Sequence, residues 1–282
     1  MRIIILLVSV LLSGTLFYKK IYLPHDLHEV SGVCSLPDGR LLWLNDGGNK
    51  PYLYITDLQG KLDSVIKLPL RNRDWEEMTS DDDGNLYIGD FGNNANDRRD
   101  LIIYKLDPTY RVIDSILFNY EDQTLFPPPI VERRFDMEAM IWCDHRLHLF
   151  SKNKMGSYFI STHYMLSETG RRQTAVKVEE LELAPYIVSG AARKPGTNEV
   201  ILLTYTYHFR LQFLPDSQTR LYRFQLDSAT QRLLPQQSPY KVLPTWLASS
   251  QYEAIAWSGP EHLVIAAEGG KKRRPFFRIE SK

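Results

Sequence analysis

Several signatures of common binding sites are absent from this chain. Among 282 residues there are two cysteines, Cys34 and Cys143, too few for a disulfide framework, and we expect both to be small buried side chains. Basic and acidic residues number 34 each, so no net field attracts nucleic acid. No phosphate-binding glycine motif, G-x-S-x-G elbow or Cys/His metal pattern is present. These absences argue against nucleic-acid partners and against several common enzyme classes.

Long apolar runs are also absent, except at the N-terminus. A basic start at Arg2 precedes an apolar run that ends at Phe17, the order of a secretory signal. The run is shorter than the roughly 20 residues that comfortably span a bilayer. We predict residues 1–17 to be a signal peptide, or alternatively a short uncleaved anchor, followed by one domain at 18–282. The expected location is extracytoplasmic, either periplasmic or secreted, or membrane-anchored in the alternative.

A short phrase returns five times, each time soon after a proline-marked junction. The copies are EVSGV, DWEEM, DMEAM, VSGAA and YEAIA, and strand-forming runs separated by turns follow each of them. One aligned position carries a side-chain oxygen in every copy: Ser31, Glu76, Glu138, Ser189 and Glu253. Repeats of up to four strands each predict an all-β chain folded as a five-bladed β-propeller.

The two ends of the chain predict how the ring closes. The last repeat ends with PFFRIE and lacks an outer strand, whereas residues 18–24 precede the first phrase without a blade of their own. Pairing these segments would close the circle and remove both free sheet edges. The alternative is six blades, with a weak blade hidden in 119–134 or 209–218.

The aligned oxygen side chains predict a metal site. In a propeller the first strand of each blade lines the central channel, so three carboxylates and two hydroxyls would meet near the axis. Carboxylates that close cannot all ionise without compensation. Calcium takes roughly six to eight oxygen ligands in flexible geometry, so we predict one axial Ca²⁺ held by the five aligned residues. The alternative is a wet channel with bridging waters or raised carboxylate pKa values.

The phrases EVSGV, RDWEEM, MEAMIWCDHRLHLFSKN, SGAARKPGTNEVILL and QYEAIAW resemble the inner-strand series of the calcium-activated apyrase family. The resemblance implies a five-bladed propeller with one axial calcium held by the Ser and Glu positions named above. It also implies that Asp46, in LNDGG, helps to position an attacking water. The chain departs from that family because GDFGNN replaces the family's loop and the long nucleotide-binding insertions are not evident.

NDGGN, DWEEM and GDFGNN also resemble exported bacterial propellers related to the SdiA-regulated and phytase-like groups. This second resemblance implies the fold and export, and it implies no particular activity.

Polar, glycine-rich loops follow the predicted second strands and would meet at one mouth of the channel, where function usually lies. We predict Asp46 and Asp90 as catalytic residues. The predicted ligand-binding residues are Asn45, Asn93, Asn94, Lys152, Arg193 and Glu268. Ordinary turn chemistry is the alternative for the Asn, Asp and Gly clusters. Elsewhere, His145 and His148 are expected at turn and surface positions.

Two classes of function remain open. The first is a calcium-binding propeller that holds a small-molecule or surface ligand at the channel mouth. The second is a calcium-dependent hydrolase of a phosphate or ester bond, in which the ion polarises substrate or activates water. We expect a monomer with no nucleic-acid partner, and with membrane contact only through an uncleaved N-terminal segment.

Overall fold

The computed structural model describes residues 19–152, 160–206, 208–210, 214–243, 251–269 and 273–281. Over these residues the protein is all-β, with short 3-10 turns at His25–Leu27 and Ile130–Glu132. In this part of the chain no helix combines the length and apolarity needed to cross a bilayer. The predicted leader at 1–17 lies outside the described residues.

Strand β1 (Ile21–Tyr22) precedes a series of four-stranded antiparallel units, here named units 1 to 5. Unit 1 contains β2 (Val30–Ser35), β3 (Leu41–Asn45), β4 (Tyr52–Thr56) and β5 (Leu62–Lys67). Unit 2 contains β6 (Trp75–Ser80), β7 (Leu86–Asp90), β8 (Leu101–Leu106) and β9 (Val112–Tyr120). Unit 3 contains β10 (Met137–Cys143), β11 (Arg146–Ser151), β12 (Ile160–Ser167) and β13 (Arg172–Glu182).

Unit 4 begins with β14 (Ile187–Arg193) and β15 (Glu199–Tyr205), and a hairpin of β16 (His208–Arg210) and β17 (Leu214–Asp216) follows. Its outer strands are β18 (Thr219–Leu226) and β19 (Leu233–Leu243). Unit 5 contains β20 (Tyr252–Trp257), β21 (His262–Ala267) and β22 (Phe276–Ser281), and β1 supplies its fourth strand.

The two ends of the described chain pair with each other. Ile21 lies opposite Phe277 and Tyr22 opposite Phe276 in antiparallel register. The backbone N–H of Leu23 donates to the carbonyl of Pro275 at 2.9 Å and extends this contact. The predicted pairing of the N-terminal strand with the PFFRIE segment is therefore confirmed, and it removes the free edge of unit 5.

The first strands of the units form a closed cycle. Strand β2 contacts β6, β6 contacts β10, β10 contacts β14, β14 contacts β20, and β20 returns to β2. A separate cluster of buried apolar side chains fills each junction between neighbouring units in the described residues. First and second strands are buried along most of their length because both of their faces are covered, whereas the outer strand β5 alternates in exposure. This is the layout of a closed β-propeller.

Units 2 and 3 are joined more closely than their sequence repeats predict. Their outer strands β9 and β13 pair in parallel, from Leu117 opposite Arg172 to Tyr120 opposite Ala175. The pairing merges the two units into one eight-stranded sheet. It also covers two outer edges that would otherwise present free backbone groups to solvent.

A chain of buried histidines lies within unit 3. His148 Nδ1 is 2.9 Å from His163 Nε2, and His163 Nδ1 is 3.4 Å from the Glu179 carboxylate. Both rings are fully buried, so the predicted surface position of His148 is wrong, whereas His145 is exposed as expected. Burial lowers the pKa of both buried histidines, that of His148 to about 3. Period-two alternation predicted the face of His148 but not that a neighbouring unit covers it.

The buried histidines predict a loss of stability in acid. The unfolded chain protonates His148 as the pH falls through the usual pKa of 6.5, while the folded chain holds it neutral. Between about pH 7.5 and about pH 5 the melting temperature of a His148→Leu variant should therefore fall less than that of the wild type. The exposed His262 supplies the control, since His262→Gln should keep the wild-type profile. Parallel melting profiles for His148→Leu and the wild type would contradict the assignment.

Candidate axial cation site

Each of the five aligned oxygen residues occupies a β-bulge. The register between first and second strand shifts across Ser31, Glu76, Glu138, Ser189 and Glu253, so that each of them is skipped in the ladder. A bulge leaves one residue unpaired and turns its side chain away from the regular alternation. All five side chains are buried where the first strands begin. The five positions that the repeats align in the sequence are therefore also equivalent in backbone conformation.

A group of carboxylates with metal-site spacing lies at this end of the channel. Carboxylate oxygens of Asp46, Asp74 and Glu76 all lie within 4.8 Å of one another. Glu76 is buried, whereas Asp46 and Asp74 are half-buried, so the group opens toward the mouth. Burial raises the pKa of all three, that of Asp46 to about 7, and neighbouring carboxylates contribute to the shift. The group is short of positive charge at neutral pH.

Two loop glycines make room for these carboxylates. A Cβ added to Gly92 would overlap the side chains of Asp74 and Glu76. A Cβ added to Gly47 would overlap the Asp74 carboxylate and lie 2.8 Å from its Cα. The glycines of the LNDGG and GDFGNN loops therefore let backbone approach the acidic group closely, which no other residue type allows.

The remaining ring carboxylates belong to the same electrostatic cluster. Lys152 Nζ donates to Glu138 Oε2 at 2.9 Å, and Gln251 Nε2 donates to Glu253 Oε1 at 3.1 Å. Burial raises the pKa of Glu138 to about 8, although Lys152 lowers it. Burial likewise raises the pKa of Glu253 well above its usual range, and Glu268 and Glu138 add to that shift.

The two ring hydroxyls join neighbouring first strands. Ser31 Oγ donates to the backbone carbonyl of Glu76, and Ser189 Oγ donates to the carbonyl of Tyr252 at 2.8 Å. Each bond therefore reaches from one unit to the start of the next. The hydroxyl protons are used in these contacts, while the oxygen lone pairs remain available as acceptors.

Asp90, predicted as catalytic, is buried within a network of donors. Its carboxylate accepts the backbone N–H groups of Arg73 and Asp74 at 3.1 Å each. Its Oδ1 also accepts a hydrogen bond from Arg98 Nη2 at 2.8 Å. The Arg98 and Asp90 side chains of this ion pair are only 6% and 3% exposed. This arrangement fixes the loop that carries Asp74.

The predicted asparagines differ in position. Asn45 is buried, and its Nδ2 donates to the carbonyl of Asp26 at 2.6 Å. Asn93 is buried as well: its backbone N–H donates to Asp136 at 2.7 Å, and its Oδ1 accepts the N–H groups of Asp97 and Arg98. Asn94 is exposed. For Asn93, these hydrogen bonds fit the alternative interpretation, in which the asparagine stabilises a turn.

Arg193 lies far from the other predicted ligand-binding residues. It ends β14, four residues beyond Ser189, which corresponds to about 13 Å along a strand. There it pairs with Asp82 at 2.7 Å and lines a cavity of about 320 Å³ formed by the ends of the first strands. Lys152 and Glu268 directly follow second strands and lie at the same mouth of the channel as the acidic group. Arg193 therefore lies at the opposite mouth.

Glu77, which the sequence reading passed over, crosses the channel. Its Oε1 accepts the N–H of Met78 at 3.0 Å, and its Oε2 accepts the N–H of Ala191, in unit 4, at 3.3 Å. The equivalent residues after the other bulges are small: Gly32, Ala139, Gly190 and Ala254. The Glu77 side chain therefore fills the part of the channel, between its two mouths, that the four small residues leave open.

Asp74 and Asp136 are the other acidic residues that the sequence reading missed. Each stands two residues before a bulge glutamate, in DWE and DME, so a shared D-x-E spacing marks both. Burial raises the pKa of Asp136 to about 6. The repeated spacing is a usable signal, because it recurs just before the first strands of two successive units.

Solved structures of propeller-like proteins resemble this fold at low sequence identity. A mannose phosphorylase from Leishmania mexicana, solved with a phosphate ion, matches with a TM-score of 0.53 and 13% identity over 93% of this chain and 88% of its own. An α-L-arabinofuranosidase from Podospora anserina, solved with cellotriose, matches with a TM-score of 0.52 and 11% identity over 93% and 95%. These likenesses extend to the fold alone. No protein-family model and no curated protein matches the sequence.

The Asp90–Arg98 pair should be essential for stability. Replacing Asp90 by Asn leaves the buried Arg98 guanidinium with only the half-exposed Asp100 as a counter-charge, so the free energy of unfolding should fall by about 3 kcal/mol. Urea denaturation measures the change. The half-exposed Asp100, which also pairs with Arg98, is the matched control, and Asp100→Asn should cost less than about 1 kcal/mol. Equal effects of the two substitutions would contradict the structural role given to Asp90.

Proposed function

We propose that this protein is a calcium-binding β-propeller that holds a ligand at the axial mouth beside the ion. The observation that carries the proposal is the acidic group of Asp46, Asp74 and Glu76, whose carboxylate oxygens lie within 4.8 Å of one another. The group stands where five bulges direct oxygen side chains inward. A hard divalent cation would compensate charges that burial leaves without solvent.

The chemistry of the donors fits calcium. The side chains that would hold the ion offer carboxylate oxygens, with hydroxyl lone pairs nearby, and calcium accepts such oxygens in variable number. Glu76 would bind from the first strand of unit 2, with Asp74 from the loop before it and Asp46 from unit 1. The remaining members of the ring are Ser31, Glu138, Ser189 and Glu253. The bound ion would supply positive charge for a polar or anionic ligand.

The proposal includes five blades, one for each unit. The closed cycle of first strands and the apolar cluster at each junction support this number. The segments considered for a sixth blade offer little: residues 119–134 contain the end of β9 and a 3-10 turn, and 209–218 contains part of the β16–β17 hairpin. The motif resemblance to calcium-activated apyrases and the basic, apolar N-terminus extend the proposal to an exported, monomeric protein.

Calcium should stabilise the folded protein. After treatment with a chelator, adding Ca²⁺ to about ten times its Kd should raise the melting temperature by about 2–4 °C, because only the folded state brings the carboxylates together. Glu76→Gln should remove this shift and the heat of calcium binding in titration calorimetry. The exposed Glu261 is the matched control, and Glu261→Gln should retain both signals.

Gly92→Ala provides a second test with the carboxylates intact. Its new Cβ should displace Asp74 and Glu76 and weaken calcium binding without removing a charge. Wild-type protein that shows neither a melting shift nor a binding heat with Ca²⁺ would leave the channel filled by water alone and refute the proposal.

A second candidate function is calcium-dependent hydrolysis of a phosphate or ester bond. The observation that favours it is the half-buried position of Asp46, which joins the acidic group from the mouth side. An aspartate placed between a cation and solvent can orient a water for attack. The buried, fully engaged Asp90 is better suited to fixing the Asp74 loop than to chemistry.

Turnover assays would decide between binding and hydrolysis. A panel of nucleotides, phosphomonoesters and lactones should show calcium-dependent turnover, and Asp46→Asn should reduce kcat by about 100-fold or more. The exposed Asp63→Asn variant should keep full activity. Absence of turnover across the panel, with calcium binding intact, would leave the ligand-binding function alone.

A further inference from the structure

We infer that Lys152 is a tethered cation that shares the charge of the axial site, so that a divalent ion is held by the Asp46–Asp74–Glu76 group and not by the whole ring. This inference rests on the proposed calcium site and specifies its ligand set. It departs from the five-ligand ring that the motifs predict, because two of the three ring glutamates, Glu138 and Glu253, already accept hydrogen bonds from side chains of this protein.

The backbone places the Lys152 ammonium firmly. Lys152 directly follows β11, and its N–H donates to the carbonyl of Asp136 at 2.8 Å. Its Nζ lies 2.9 Å from Glu138 Oε2 and 6.0 Å from the centre of the Tyr205 ring in unit 4. The lysine and glutamate side chains of this pair are 19% and 6% exposed. An ion pair this sheltered is screened little by solvent.

The charge of Lys152 acts on the whole ring. Burial alone lowers its pKa, but Glu138, then Tyr205, Glu253 and Glu76, raise it well above the usual value. The geometry is an ion pair, with Nζ 2.9 Å from Glu138 Oε2. This cation of the chain itself lies beside the buried carboxyl groups of the ring whether or not a metal is bound.

Hydrogen-bond donors divide the ring into two halves. Glu138 accepts Lys152, and Glu253 accepts Gln251 Nε2, which also donates to the Tyr205 hydroxyl at 3.2 Å. Across the described part of the chain, no side chain donates a hydrogen bond to the carboxylate of Glu76 or to that of Asp74. Carboxylates without a side-chain donor therefore lie in units 1 and 2, whereas the Lys152 hydrogen bond goes to Glu138 in unit 3.

This division changes what a divalent ion would meet. On the Lys152 side it would have to displace an ammonium that is tied to the chain. In the Asp46–Asp74–Glu76 group it would meet two carboxylates that accept no side-chain hydrogen bond among the described residues, and Asp46, whose Oδ1 accepts the backbone N–H of Gly47. The ammonium also repels a second cation nearby, so it should reduce calcium affinity. In return, the metal-free protein keeps a positive charge beside Glu138 and stays folded.

Lys152→Met tests the shared charge because it keeps the apolar stem and removes the ammonium. In calorimetry this variant should bind Ca²⁺ about tenfold more tightly than the wild type. In chelator it should melt below the wild type, and the rise on adding Ca²⁺ should be larger. Lys152→Arg should behave like the wild type in both measurements. The exposed Lys61→Met is the matched control and should change neither.

The ligand set has its own test. Asp74→Asn should abolish the calcium heat, whereas Glu138→Gln should weaken it by less than about tenfold, because Glu138 is paired with Lys152. Loss of binding in Glu138→Gln as complete as in Asp74→Asn would restore the whole ring and overturn the inference.

The metal-free melting temperature separates this inference from the proposed function. Equal melting of Lys152→Met and wild type in chelator, together with equal calcium affinity, would overturn the role of Lys152 while leaving the calcium site in place. A wild type that binds calcium, with Lys152→Met that binds it about tenfold more tightly, would support both the calcium site and the role of Lys152. If neither protein binds calcium, the calcium function fails and the divided ligand set fails with it.

Discussion

The close approach of the first strands around one axis is the constraint on which the rest of the structure depends. At each bulge one residue is left out of the hydrogen-bonded pairing between strands, and its side chain points into a space shared by neighbouring units. The next residue then has room only if it is small, as at Gly32 and Gly190. Glu77 is the exception, and its carboxylate satisfies backbone N–H groups on two units.

This geometry concentrates charge where water is scarce. Buried carboxylates on separate units raise one another's pKa, so the site is tolerable only with compensation from cations, donors or protons. The chain supplies Lys152 on one side and leaves oxygens unengaged on the other. Stability and the proposed cation binding would therefore depend on the same few side chains.

The sequence predicted the fold further than it predicted the site. The recurring phrase identified five equivalent positions, although not that each is a bulge, and the segment before Pro24 identified the closing strand, because both are local patterns with fixed spacing. The parallel pairing of β9 with β13 and the burial of His148 depend on contacts that strand patterns do not show. The separation of Arg193 from Lys152 follows from their places at the end of a first strand and after a second strand. Asp74 was within reach through its D-x-E spacing, whereas the engagement of Asp90 by Arg98 required three-dimensional placement.

The join between β1 and β22 has a consequence for how the molecule is made. Ile21 emerges among the first described residues of the chain, and its partner Phe277 among the last. The sheet of unit 5 is therefore complete only when segments from both ends of the described chain have been made. Asp46, Asp74 and Glu76 come from the adjacent units 1 and 2, whereas Glu253 comes from unit 5, so the full ring of aligned oxygen side chains needs the last unit as well.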